Sequence, residues 1–269
     1  MSLKWLYVPT ALSIPFIYVG SLYVLDKEHQ LHSDHPSTIR KRFIRVTIST
    51  SITVATTYLV LSQEFYSPLR TMGIYVNGDT ASLCGQSVLL TATVYLGTFI
   101  MDILDGSLTL RSVFALDEWI GCFKDLIWLR NNIMAPITEE LAFRSCAAVL
   151  IRHSLGDNPA IFFSPLLFAL SHYHHLKNDI HHGQSIANAL VTRSVQALYT
   201  YLFGVYVTFL SFKYDQVLPI ILSHALCNNT GLPRVTDIEY YPQRQRKWLG
   251  LAHLTGLGLF VYGICRMTN

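Results

Sequence analysis

Two adjacent carboxylates and a guanidinium stand together in Glu139-Glu140-Leu141-Ala142-Phe143-Arg144, within a stretch that is otherwise largely apolar. A glutamate can take a proton from water, and with a histidine it can later return that proton to a leaving amine, the usual division of general acid/base work. Suitable partners follow downstream: His172, four residues after Phe168, and His224 with Asn228 one helical turn beyond it. Residues four apart share a helix face, so Glu140 and Arg144 can pair. Glu139 then points about 100° away and is left to face a cavity. His224 and the Asn228 amide can each donate to a developing oxyanion, an interaction worth roughly 2.7–4 kcal/mol per donor in proteases. Amide hydrolysis with this set needs no covalent nucleophile.

The same residues admit other uses. Glu139, His172 and His224 form a plausible catalytic zinc set with an open position for water. Neither histidine is followed by glutamate, however, so the helical HExxH signature is absent, and metal-free hydrolysis without a cofactor is the preferred chemistry. A multi-pass scaffold that merely retains a polar core is the non-enzymatic alternative. Taken singly, an HxxxN spacing or a lone histidine is weak, and it is their coincidence that points to one polar cavity.

The elements that must position these groups are membrane helices. The chain has 269 residues, 51% hydrophobic and only 14% charged, against about 25% charged in soluble domains. Mean hydropathy is only +0.34 because polar connections dilute the apolar runs. A spanning helix needs about 20 apolar residues. Eight candidates emerge: Trp5–Leu25, Ile44–Ser62, Ser87–Leu104, Ile137–His153, Pro159–Tyr173, Ile186–Phe212, Val217–Asn228 and Trp248–Cys265. The first three and the last are clear; the fourth, fifth and seventh are short or broken by polar groups, and they carry the unusual residues. An ionisable side chain at membrane depth costs about 3 kcal/mol or more unless paired, which makes those charges functional candidates.

The fold class is therefore all-α, a multi-pass helical bundle read as one membrane domain over 1–269, with the motifs between 136 and 229. The first span is too long for a removed signal peptide and should persist as an anchor. Pro136 suits the first turn of a helix, which places Glu139 near a positive dipole end. Phe114–Arg130 is amphipathic with interfacial tryptophans, suited to lie along the membrane surface. The Lys and Arg bias among the loops places both termini away from the cytosol. Arg40-Lys41-Arg42 fixes topology better than it binds a headgroup, and the net charge of +3 forms no basic stripe for nucleic acid. The five cysteines show no disulfide or zinc spacing. His174, His175, His181 and His182 read as a solvated loop.

Glu139-Glu140-x-x-x-Arg144, Phe168-x-x-x-His172 and His224-x-x-x-Asn228, in that order, resemble the three signature motifs of the CAAX protease and bacteriocin-processing membrane family, and within it the type II CAAX prenyl endopeptidases. The resemblance implies an intramembrane enzyme of the endoplasmic reticulum, reached from the cytosol, that removes the last three residues from farnesylated or geranylgeranylated proteins such as Ras-like small GTPases. By that pattern Glu139 and His172 activate water and His224 and Asn228 hold the oxyanion, with Glu140, Phe143, Arg144 and Phe168 in support. A prenyl chain prefers lipid while the tripeptide and water need a polar chamber. A conical cavity open to both would serve, with Phe162, Phe163 and Leu167 toward the lipid.

Overall fold

The computed structural model describes residues 4–23 and 34–268. Every regular element among them is helical. The principal helices are α1 (Tyr7–Tyr23), α2 (Pro36–Leu61), α3 (Thr80–Val94), α4 (Leu96–Leu104), α5 (Ala135–Glu140), α6 (Val149–Leu155), α7 (Asp157–Ser171), α8 (Ile186–Tyr214), α9 (Leu218–Thr230) and α10 (Gln243–Thr268). Between α5 and α6 the backbone stays helical but opens into π turns over Leu141–Ala148.

Among the described residues, four helices are long and apolar enough to cross a membrane: Lys4–Tyr23, Pro36–Leu61, Ile186–Tyr214 and Gln243–Thr268. A fifth is added if α3 and α4, bent by 72°, count as one span. That pair holds the expected third span, which is bent: its ladder breaks at Tyr95, whose hydroxyl donates to the Gly231 carbonyl at 2.9 Å. The fourth expected span falls short on charge, since Glu139, Glu140, Arg144 and Arg152 all lie in it. The last two residues of the expected first span, Val24 and Leu25, lie outside the described residues.

The chain divides into two compact units, one of Met1–Asn77 with Ile137–Ile220, the other of Gly78–Pro136 with Ile221–Asn269. In the first, α1 buries Tyr7, Ala11, Ile14 and Tyr18, a helical stripe of threes and fours. The buried face of α2 is rich in hydroxyls, with Ser49, Thr50, Thr53 and Thr57 inside. Small polar side chains of this kind let membrane helices approach closely. The α8 helix starts on a Ser185 cap that accepts from the Asn188 amide, and stops at Asp215, where φ is +50°. Arg152 clamps that end, bonding Asp157 at 2.9 Å and Asp215 at 3.3 Å.

In the second unit α10 packs on the bent pair through glycines. A Cβ on Gly256 would strike the Thr93 carbonyl, and one on Gly97 would strike the His253 ring. Arg234 bridges Asp102, Asp105 and Asp237 at 2.8, 3.0 and 2.9 Å. The Tyr241 hydroxyl donates to Asp105 at 2.6 Å, and this bond, helped by Arg234, holds the Asp105 carboxyl below the usual range. The expected surface helix over Phe114–Arg130 is a series of short pieces instead, with α-helix over Leu116–Lys124 and Leu126–Leu129. Asp125 breaks the run by capping the Ile127 amide at 2.8 Å. The segment's apolar side stays exposed, Trp119 and Phe123 included, and both rings pack edge-on against Trp128.

Candidate active site

The motif helix does not begin where Pro136 suggested. Helical backbone is already present upstream, as α-helix over Leu126–Leu129 and π-helix over Arg130–Met134. A proline inside a helix lacks its N–H and crowds the carbonyl four residues back, and the widened turn just before Pro136 gives its ring room. Glu139 consequently sits in a helix interior, where no helix N-terminus favours its charge.

The two glutamates separate as their spacing predicts. Glu140 is fully buried and Arg144 nearly so, at 0% and 2% exposure, with Arg144 Nε 3.1 Å from the Glu140 carboxylate. Glu139 is half-buried. A buried charge without a partner is strongly destabilising, so this pair is obligatory once it is inside.

Aromatic rings hold the guanidinium on its other side. Arg144 lies 4.4 Å over the Phe168 ring and 6.0 Å over that of Phe203, and such contacts favour a desolvated cation. Phe143 meets Phe168 at 5.0 Å and Tyr18 at 5.6 Å. On α8, Gly204 makes the close approach possible. A Cβ there would meet Pro165 Cβ at 2.7 Å and Arg144 Nη2 at 3.3 Å. Phe203 and Gly204 were not singled out from sequence, since neither has a motif or a charge.

His172 ends α7 with its orientation set. Its Nδ1 is 2.9 Å from the Phe168 carbonyl, and a carbonyl only accepts, so Nδ1 carries a proton, and in the neutral ring the lone pair is on Nε2. That is the form a general base needs. The Phe168 ring stands edge-on to it at 4.9 Å. Phe168 therefore contacts both Arg144 and His172, linking motif one to motif two within the first unit.

Tyr18 is a further neighbour that sequence did not reveal. Its hydroxyl is hydrogen-bonded to Thr138 Oγ1 at 2.9 Å and lies beside the Glu139 carboxylate. His174 and His175, expected in a solvated loop, are half-buried in a 3-10 turn with rings 3.8 Å apart. The turn continues straight from α7 and brings His174 against the Tyr23 ring at 5.8 Å.

His224 and Asn228 lie in the second unit, on α9. His224 is buried. Beside it the Ser223 hydroxyl joins Ser87 at 2.7 Å and accepts from Thr91 at 3.0 Å, anchoring α9 to α3. Asn228 is exposed, and its Nδ2 donates to the Asn131 carbonyl at 2.8 Å. An amide nitrogen carries two N–H groups, so one remains for an oxyanion. No group of three His, Cys, Asp or Glu side chains suited to a metal gathers among the described residues. All five cysteines are free.

Comparison with known proteins decides the family. A type II CAAX prenyl endopeptidase Rce1-like family model matches residues 124–230, the stretch that holds all three motifs. A Caenorhabditis elegans protein named CAAX prenyl protease 2 is 34% identical over 250 residues, covering 93% of this chain and 92% of its own length. The chain belongs to the Rce1-like type II CAAX prenyl endopeptidases. Two further relatives carry the same name. One from Homo sapiens is 34% identical over 277 residues, with 98% of this chain and 82% of the relative covered. One from Arabidopsis thaliana is 31% identical over 261 residues, with 85% and 80% covered. No solved structure matches the chain. Family and long apolar helices together make it a multi-pass membrane peptidase.

Proposed function

We propose that this chain removes the aaX tripeptide from prenylated CAAX proteins, Ras-like small GTPases among them, at the endoplasmic reticulum membrane with its active site reached from the cytosol. The observation that carries the reading is the division of labour in the motif helix: a buried Glu140–Arg144 pair beside a half-buried Glu139. The names of the relatives supply the substrate class.

In the proposed reaction Glu139, with His172 Nε2, takes a proton from water as its oxygen attacks the carbonyl of the prenylcysteine. His224 and the second Asn228 N–H donate to the oxyanion that forms. Collapse breaks the C–N bond, and the proton held by the Glu139–His172 couple passes to the departing amine. The products are a protein ending in prenylcysteine carboxylate and a free tripeptide. This sequence requires His224 and Asn228 to converge with Glu139 and His172 on one substrate.

The test is hydrolysis of a farnesylated CAAX-ended peptide by purified protein in liposomes. Glu139→Gln and His172→Ala are each expected to abolish turnover while leaving the thermal midpoint in place. Normal cleavage by Glu139→Gln would sink the mechanism. Loss of activity under a tight chelator, restored by zinc, would replace it with the metal-dependent reaction of Glu139, His172 and His224.

A further inference from the structure

Between α1 and the end of α7 lies a groove of 460 Å³, within the roughly 300–1,000 Å³ usual for ligand sites. Phe16 and Gly20 line it from α1, and Leu167 and Leu170 from α7, with Ser171 and His174 at one end. The Ser171 hydroxyl and one ring nitrogen of His174 are already engaged with backbone carbonyls. The Ser171 hydroxyl donates to the Phe168 carbonyl at 2.6 Å, and His174 Nδ1 is 2.6 Å from the Ser171 carbonyl. The walls therefore offer an occupant little besides apolar surface.

The groove approaches the proposed general base at its polar end, where the His174 ring lies 3.8 Å from that of His175, which in turn lies 6.5 Å from the His172 ring. Ser171 directly precedes His172. On α1, Tyr23 packs on His174 and stands three residues from Gly20, on the same side of the helix. From Leu167 to His174 the helical path is roughly 10 Å long at 1.5 Å per residue. At the other end Phe16 is 79% exposed, so the groove opens outward there. Gly20 has nothing within 4 Å of where its Cβ would stand, so the missing side chain leaves space, and no close-packed neighbour demands glycine.

We propose that this groove seats the proximal part of the substrate's prenyl chain, with Gly20 providing the width for it next to His172. The proposal rests on the endopeptidase reading. It explains how a single site can orient a thioether-linked chain against the general base while the chain's distal end runs out toward lipid. Because the far end is open, the groove does not measure length. Farnesyl and geranylgeranyl substrates should be handled alike.

In Gly20→Leu the added Cβ meets nothing within 4 Å, and the side chain narrows the groove. It is expected to raise KM for farnesylated and geranylgeranylated peptides about tenfold, with kcat within about twofold, the pattern of lost ground-state binding. Ile17→Phe, on an exposed part of α1 outside the groove, should change neither. A diazirine-bearing farnesyl peptide should crosslink within residues 16–20 and 167–174 of the wild-type protein. Unchanged KM in Gly20→Leu refutes the groove while wild-type cleavage keeps the endopeptidase reading. Label spread evenly over exposed apolar helices, as for a lipid, refutes it too. A wild-type protein that binds label in the groove yet cleaves nothing would refute the reading of function instead.

Discussion

At the residue scale the decisive fact is that Arg144 has no water to fall back on. Its charge is balanced by Glu140 and by the faces of Phe168 and Phe203. Glu140→Ala or Arg144→Ala leaves the other charge buried and alone, and each is expected to cost about 3–5 kcal/mol, seen as a lower thermal midpoint and a smaller yield of folded protein. A paired Glu140→Leu, Arg144→Leu variant should lose far less than the sum. Asn228→Ala should leave the midpoint unchanged and reduce kcat by about two to three orders of magnitude, the usual loss when one oxyanion donor is removed. The pair was legible in sequence because i, i+4 spacing is a local rule. Tyr18, Phe203 and Gly204 were not, because their contacts with the motif helix depend on how distant helices pack.

At the element scale the π stretch over Leu141–Ala148 sets the direction in which the glutamates face relative to α6. Such turns recur at functional sites, and nothing in residue type announces this one. Deletion of Ala148 should restore α-helical winding and turn the upstream side chains by about 100° relative to α6. The expected outcome is retained helicity by circular dichroism with turnover lost. The connection after α7 carries a pH signature. Burial, reinforced by His174 and Arg193, pushes His175 down to about 3. The unfolded chain binds this proton near pH 6.5 and the folded one does not, so stability is greatest above that value and falls as pH drops toward 3. The thermal midpoint should decline from pH 7 to pH 5, and less steeply in His175→Gln. Helix positions were readable from hydropathy, but the break at Tyr95 was not, because no proline or charge stands there to mark it.

At the scale of the whole molecule, membrane character was plain from the low share of charged residues, and helical architecture from apolar runs of spanning length. The number of spans was less legible: a helix that buries an ion pair breaks the hydropathy rule that would count it. The Lys and Arg bias of the sequence predicts both termini opposite the cytosol, and on that topology acceptor sites for N-glycosylation appended at either end are expected to be modified in microsomes; modification at only one end would overturn it. The division of each unit into two separated stretches of chain has a consequence for biosynthesis. Residues 78–136 leave the ribosome before the first unit has its second half, and His224 and Asn228 follow only after that half is finished. On the proposed mechanism, a nascent chain acquires its base before its oxyanion donors, so an incomplete polypeptide is inserted and partly packed while still unable to cut.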